Sequence, residues 1–257
     1  MSTEKEPGAG CSGYCRRCGL EHGLEDRSAR PAALELMRFM DKNGHINVRM
    51  VGSLPDSRIS TAPLFGADRG KMFGVLLCRN VHGKEVVLHG FSGMFNGHWR
   101  APGWVGPLFD VDDFHQCVEP VEQSIKEIGY KMEQEHKGSA VWTRLRHKRR
   151  ELSRQLMQEI FSLYRLPDFR GGRYTLLQAF YGKNGIPTGA GDCCAPKLLA
   201  HAARQQLQPI SLSEFYYGRE NASATRKHKH FYSTCSEKCR PILGTMLCGI
   251  EDFYGRG

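Results

Sequence analysis

The sequence predicts an α+β chain (α/β-like), a small sheet with a hairpin flanked by helices, plus a long basic helix or helical hairpin. Three observations predict it. Segments 71–78 and 85–91 are runs of β-branched and aromatic residues around the turn Val81-His82-Gly83-Lys84, which reads as a β-hairpin. Segment 209–217 (PISLSEFYY) alternates as a further strand. Segments 32–42, 120–164 and 194–206 repeat apolar residues at helical spacing.

In chain order, residues 1–31 read as a flexible tail rich in Gly, Ser, Glu and Arg, with a small knot of Cys11, Cys15, Cys18 and His22. Residues 32–69 give a helix ended by Asn43-Gly44, then a Ser/Pro/Gly loop from 52 onward. Residues 70–257 form the main globular α/β domain, including a helical arm over about 120–164 that breaks near Gly138-Ser139. Between hairpin and arm, 92–110 is a Gly/Trp/Pro loop. Its Phe95, His98, Trp99 and Trp104 are better read as packing groups than as base-stacking ones. A turn at 168–172, a short segment 174–181 and a Gly-rich approach 186–192 lead into the helix at 194. A basic loop at 226–230, Cys235, Cys239 and a short helix from Pro241 close the chain.

Composition narrows the function classes. Lys+Arg number 36 against 27 Asp+Glu, a net charge of +9, which favours an acidic polymer as partner, nucleic acid above all. No apolar run is long enough to span a membrane, and the polar N-terminus has no signal-peptide core. The expectation is a soluble cytoplasmic protein whose 10 cysteines stay reduced, as metal ligands, buried thiols or reactive groups.

The second half of the arm carries Arg144, Arg146, His147, Lys148, Arg149, Arg150 and Arg154 opposite an apolar stripe of Leu145, Leu152, Leu156, Ile160 and Leu163. That basic side, with Arg226, Lys227 and Lys229, is the expected contact surface for phosphates of structured RNA.

Two cysteine groups are candidate zinc sites. The first joins Cys193 and Cys194, at a helix start, to Cys235 and Cys239, with a strand between to bring them together; His228 and His230 are further possible ligands. The second is Cys11-x3-Cys15-x2-Cys18-x3-His22, with the ligand types and tight spacing of a zinc knuckle. Gly189-Ala-Gly191 lacks the Gly-Lys-Ser/Thr of a phosphate loop, and no Gly-x-Ser-x-Gly element supports a serine hydrolase.

Several blocks taken in order carry a resemblance: GKMFGV at 70–75, HGFSG at 89–93, RAPGWVGP at 100–107, GAGDCCAPKLL at 189–199, SEFYYG at 213–218 and HFYSTCSEKCRPIL at 230–243. Together they resemble the N-terminal region that precedes the catalytic domain in long bacterial RluA-type pseudouridine synthases. The resemblance implies a place in RNA modification, with tRNA or rRNA as partner and a separate pseudouridine synthase as a companion. The family's catalytic Arg-Leu-Asp-x-x-Thr-Ser-Gly motif is absent. Only RLPD at 165–168 echoes it, so pseudouridine formation by this polypeptide alone is not expected.

The order of hairpin, helix opening at Cys193, strand and second cysteine pair also resembles, more weakly, the zinc deaminase fold. That resemblance implies Cys193 or Cys194, Cys235 and Cys239 as ligands; Asp192, the only adjacent carboxylate, precedes the ligand and is the candidate catalytic proton carrier. The position where that family carries its glutamate holds Ala195 or Pro196 here, and the second pair is spaced Cys-x3-Cys. The readings are therefore an RNA-binding zinc protein, a deaminase-like hydrolase acting on RNA, and a protein–protein interaction module built on the long helices.

Overall fold

The computed structural model describes residues 10–49, 56–182 and 185–252. The first nine residues of the expected tail, part of the expected loop after 50 and the last five residues lie outside that range. In chain order the elements are β1 (Cys11–Cys15), β2 (Leu20–Leu24), α1 (Arg30–Asn43), β3 (Lys71–Arg79), β4 (Glu85–Phe91), α2 (Val111–Glu133) and α3 (Ala140–Leu163). They continue with β5 (Leu166–Pro167), β6 (Arg173–Tyr174), α4 (Leu176–Ala179), α5 (Cys194–Arg204), β7 (Gln208–Tyr217), β8 (Phe231–Tyr232) and α6 (Arg240–Met246). The fold is α+β, with a central antiparallel sheet in the order β4-β3-β7-β8.

Strand side chains alternate between the two faces of this sheet, and helices cover both. On one face Phe73, Val75, Phe215 and Tyr217 pack beneath Ala33, Leu36, Met37 and Met40 of α1. Gly44, in the left-handed conformation at φ 66°, ends α1 where the Asn-Gly signal places it. On the other face Leu76, Cys78 and Leu212 meet Cys194, Leu198 and Ala202 of α5. Gly74 and Gly90 are cross-strand partners, and the missing side chains leave a trough for α5. A Cβ on Gly74 would stand 2.7 Å from the Cys194 Cβ, and one on Gly90 would stand 3.0 Å from the Leu198 Cγ.

Three elements differ from the sequence expectation. The arm begins at Val111 rather than near Pro120, because Asp110 caps it by accepting from the N–H groups of Asp112 (2.9 Å) and Asp113 (3.2 Å). Pro120 sits inside α2, where the pairing of α2 with α3 outweighs its missing donor. The four-residue α4 is closed by a capping box between Thr175 and Gln178. Finally, residues 11–24 are not a tail. They form a β-hairpin packed on α6, and the chain leaving it bridges Glu25 to Ser211 of β7.

Candidate metal centre and basic arm

In the N-terminal hairpin, Cys11, Gly13 and Cys15 of β1 and His22 and Leu24 of β2 face inward. Gly13 lies against Gly244 of α6, and a methyl on either would overlap the other element's backbone. This glycine-on-glycine contact seats the hairpin on α6 and brings the residues that follow the helix to its turn. There Cys15, Cys18, His22 and Cys248 offer ligand atoms that all lie within 4.8 Å of one another, so the group could hold a metal ion. The His22 Nε2 is 3.0 Å from the Cys18 Sγ, and its Nδ1 is 2.7 Å from the Glu251 Oε1. One ring nitrogen thus faces the cluster while a carboxylate orients the other, the usual support for a metal-bound imidazole.

The thiols of the cluster act on one another. Burial raises Cys15, and the N–H groups of Cys18 and Arg17, with the neighbouring thiols, outweigh it and hold Cys15 below its ordinary value. Burial, with Cys15 and Cys18 beside it, pushes Cys248 up to about 12. A metal ion at this point would take the thiols as thiolates and offset the repulsion between them.

Of the expected knuckle, Cys15, Cys18 and His22 converge, and Cys11 does not join them. Four residue steps along the strand separate Cys11 from Cys15 by about 13 Å, and Cys11 is buried in the main core, its thiol pushed up to about 12 by burial and the Glu214 carboxyl. The fourth place belongs to Cys248.

The other cysteine set does not form the expected four-thiolate site. Cys193 and Cys239, the residues capping α5 and α6, are paired with each other as a disulfide where the two helices meet. The Cys194 thiol turns away from them and donates to the Met72 carbonyl of β3 (3.3 Å). Cys235 is a half-buried free thiol. His228 Nδ1 accepts from the Gly218 N–H (3.0 Å) and its ring packs on Phe65 and Tyr217, while His230 is exposed.

Asp192 does not stand beside an open metal position. Its Oδ1 accepts from the Tyr164 hydroxyl (2.7 Å) and its carbonyl accepts from the Gly93 N–H (2.8 Å). Burial raises its carboxyl, opposed by Tyr164, Lys197 and Lys238. Nearby, the buried Lys197 Nζ donates to the carbonyls of Phe91 (3.0 Å) and Gly93 (2.7 Å), and Lys71 Nζ donates to that of Ser92 (3.1 Å). Burial pulls Lys197 down to about 8. Glu214, also buried, accepts from the Ala195 N–H (3.0 Å), and burial pushes it up to about 7. These groups fasten the end of β4 and the start of α5.

Sequence reasoning missed Cys248, Glu251, Lys197 and Glu214. The last two had a signal, since each is a charge inside an apolar stretch, Lys197 in CCAPKLLA and Glu214 in ISLSEFYY. Cys248 and Glu251 had none, lying far along the chain from His22.

The basic residues fall into two groups. On α3, Arg144, Arg146, Lys148, Arg149, Arg150 and Arg154 are all exposed, and among the described residues none forms an ion pair. In the 226–230 loop, Lys229 is paired with Asp41 (2.6 Å) and Arg226 lies over the Tyr232 ring (4.2 Å), leaving Lys227 exposed without such a contact. No helix among the described residues is long and apolar enough to cross a membrane. No family model, curated protein or solved structure matches the chain.

Proposed function

We propose that this chain is an RNA-binding module of RNA modification, folded around a structural zinc ion held by Cys15, Cys18, His22 and Cys248. The observation that carries the RNA reading is the α3 arm, whose six exposed cations have no carboxylate partner among the described residues. Uncompensated charge on a projecting helix is suited to phosphates and gives salt-sensitive, weakly sequence-specific affinity. Zinc follows from the donor set, since three thiolates and an imidazole are the soft, four-coordinate ligands it takes. Four protein ligands leave no open position for substrate, which favours a structural role. The resemblance to the N-terminal region of RluA-type synthases supplies the setting, a structured tRNA or rRNA with a separate synthase acting beside it.

The double variant Arg146→Glu/Arg150→Glu tests this. Fluorescence anisotropy with a structured RNA should show weaker binding and a shallower salt dependence, at an unchanged melting temperature. Equal affinity would remove the arm from the interface.

A deaminase-like hydrolase is the second reading, favoured by the order of β3–β4, α5, β7 and the Cys235/Cys239 segment. It requires three thiolates free to share one metal, and the Cys193–Cys239 bond and the turned-away Cys194 weigh against it. A protein-docking role for the arm would appear as RNA binding that ignores the charge reversal.

A further inference from the structure

Beyond the arm, Arg165, Arg173 and Arg204 line, with Pro167, a surface concavity of about 420 Å³. The fold brings them to one place. Arg173 of β6 is the cross-strand partner of Pro167. Arg204, in the last turn of α5, donates from its Nη2 to the Arg165 carbonyl (2.9 Å). Arg165 in turn bends back on the end of α3, donating to the carbonyls of Ser162 and Tyr164. The guanidinium of Arg173 has no ion pair among the described residues, and no carboxylate lines the concavity. The nearest acidic group in sequence, Asp168, is turned inward and taken by Arg17 and Tyr174.

Arg173 and Arg204, brought together without an anion, repel one another. Partial burial, and the facing Arg173, hold the Arg204 guanidinium below its ordinary value. A ligand carrying two or more negative charges would relieve that repulsion, and guanidinium forks match the oxygens of a phosphate.

We propose that the Arg165/Arg173/Arg204 concavity is a phosphate-binding site. Its ligand is a phosphate group, supplied either by an RNA backbone or by the terminal phosphate of a small molecule. The site is separate from the exposed face of α3 and does not depend on that face binding RNA.

The test uses the full chain and inorganic pyrophosphate as probe, titrated calorimetrically at constant ionic strength set with chloride. Arg173→Gln and Arg204→Gln are compared after their melting temperatures are matched to the parent. Charge-assisted hydrogen bonds of this kind predict a loss of about tenfold or more in affinity for each variant. Absence of binding at millimolar pyrophosphate, or equal affinity in both variants, overturns the site. Displacement of labelled RNA by pyrophosphate, lost in Arg173→Gln, identifies the backbone as the source. Pyrophosphate binding without displacement identifies a small phosphorylated ligand. Arg146→Glu/Arg150→Glu should leave pyrophosphate binding intact, which separates this site from the proposed role of the arm.

Discussion

Glu214 gives the sharpest stability prediction. It is buried beneath the first turn of α5, where one N–H reaches it, and its carboxyl is pushed from an ordinary 4.5 up to about 7. A carboxyl with a raised folded-state value binds its proton more tightly folded than unfolded. Its contribution is therefore full below the unfolded value and is lost as pH rises through the folded one. With these two values, the loss between pH 5 and pH 8 is on the order of 2–3 kcal/mol. Glu214→Gln keeps an amide oxygen for the Ala195 N–H and removes the charge, so the variant should gain on the parent by that amount over the same interval. Urea unfolding at the two pH values measures it, and comparing the two chains cancels the groups they share. The midpoint difference should grow toward pH 8 in favour of Glu214→Gln, with an unchanged slope. A difference independent of pH, or a variant that loses ground at pH 8, would mean that burial does not raise the Glu214 carboxyl.

Further outcomes follow from packing and capping. Gly244→Ala would drive a methyl into the Tyr14 backbone and push the hairpin off α6, costing roughly 1–3 kcal/mol in denaturant unfolding and weakening metal retention in a chelator competition. Asp110→Ala removes the cap of α2 and should cost about 1 kcal/mol by the same unfolding measurement, with circular dichroism showing a shorter arm. Glu251→Gln weakens the hold on the His22 ring, and competition with a chelator should show metal affinity reduced by about 10-fold or more.

The sheet was legible wherever local signals agreed. The strands flanking the 81–84 turn and the alternating 209–217 run carry their own periodicity, and Asn43-Gly44 announces the end of α1. The arm was legible as helix but not in its start, because Pro120 reads as a beginning while the cap at Asp110, with acids at 112 and 113, lies in what reads as loop. At the metal cluster, tight spacing exposes Cys15, Cys18 and His22, since ligands on one hairpin are neighbours by local geometry. Cys11 shares that spacing, but the strand rise carries it away along the same face. Cys248 reaches the cluster only through the Gly13–Gly244 contact, a tertiary event with no sequence period. For the same reason a four-cysteine site at 193–239 could be written from the sequence while the fold divides it, sending Cys194 to the sheet and pairing Cys193 with Cys239.

The most direct test of the account is zinc per chain by elemental analysis on the full protein purified without chelator, beside Cys248→Ser and Cys11→Ser. The account predicts zinc bound by Cys15, Cys18, His22 and Cys248, retained in Cys11→Ser and lost in Cys248→Ser together with thermal stability. A parent chain without metal, or zinc that survives Cys248→Ser undiminished, would contradict it.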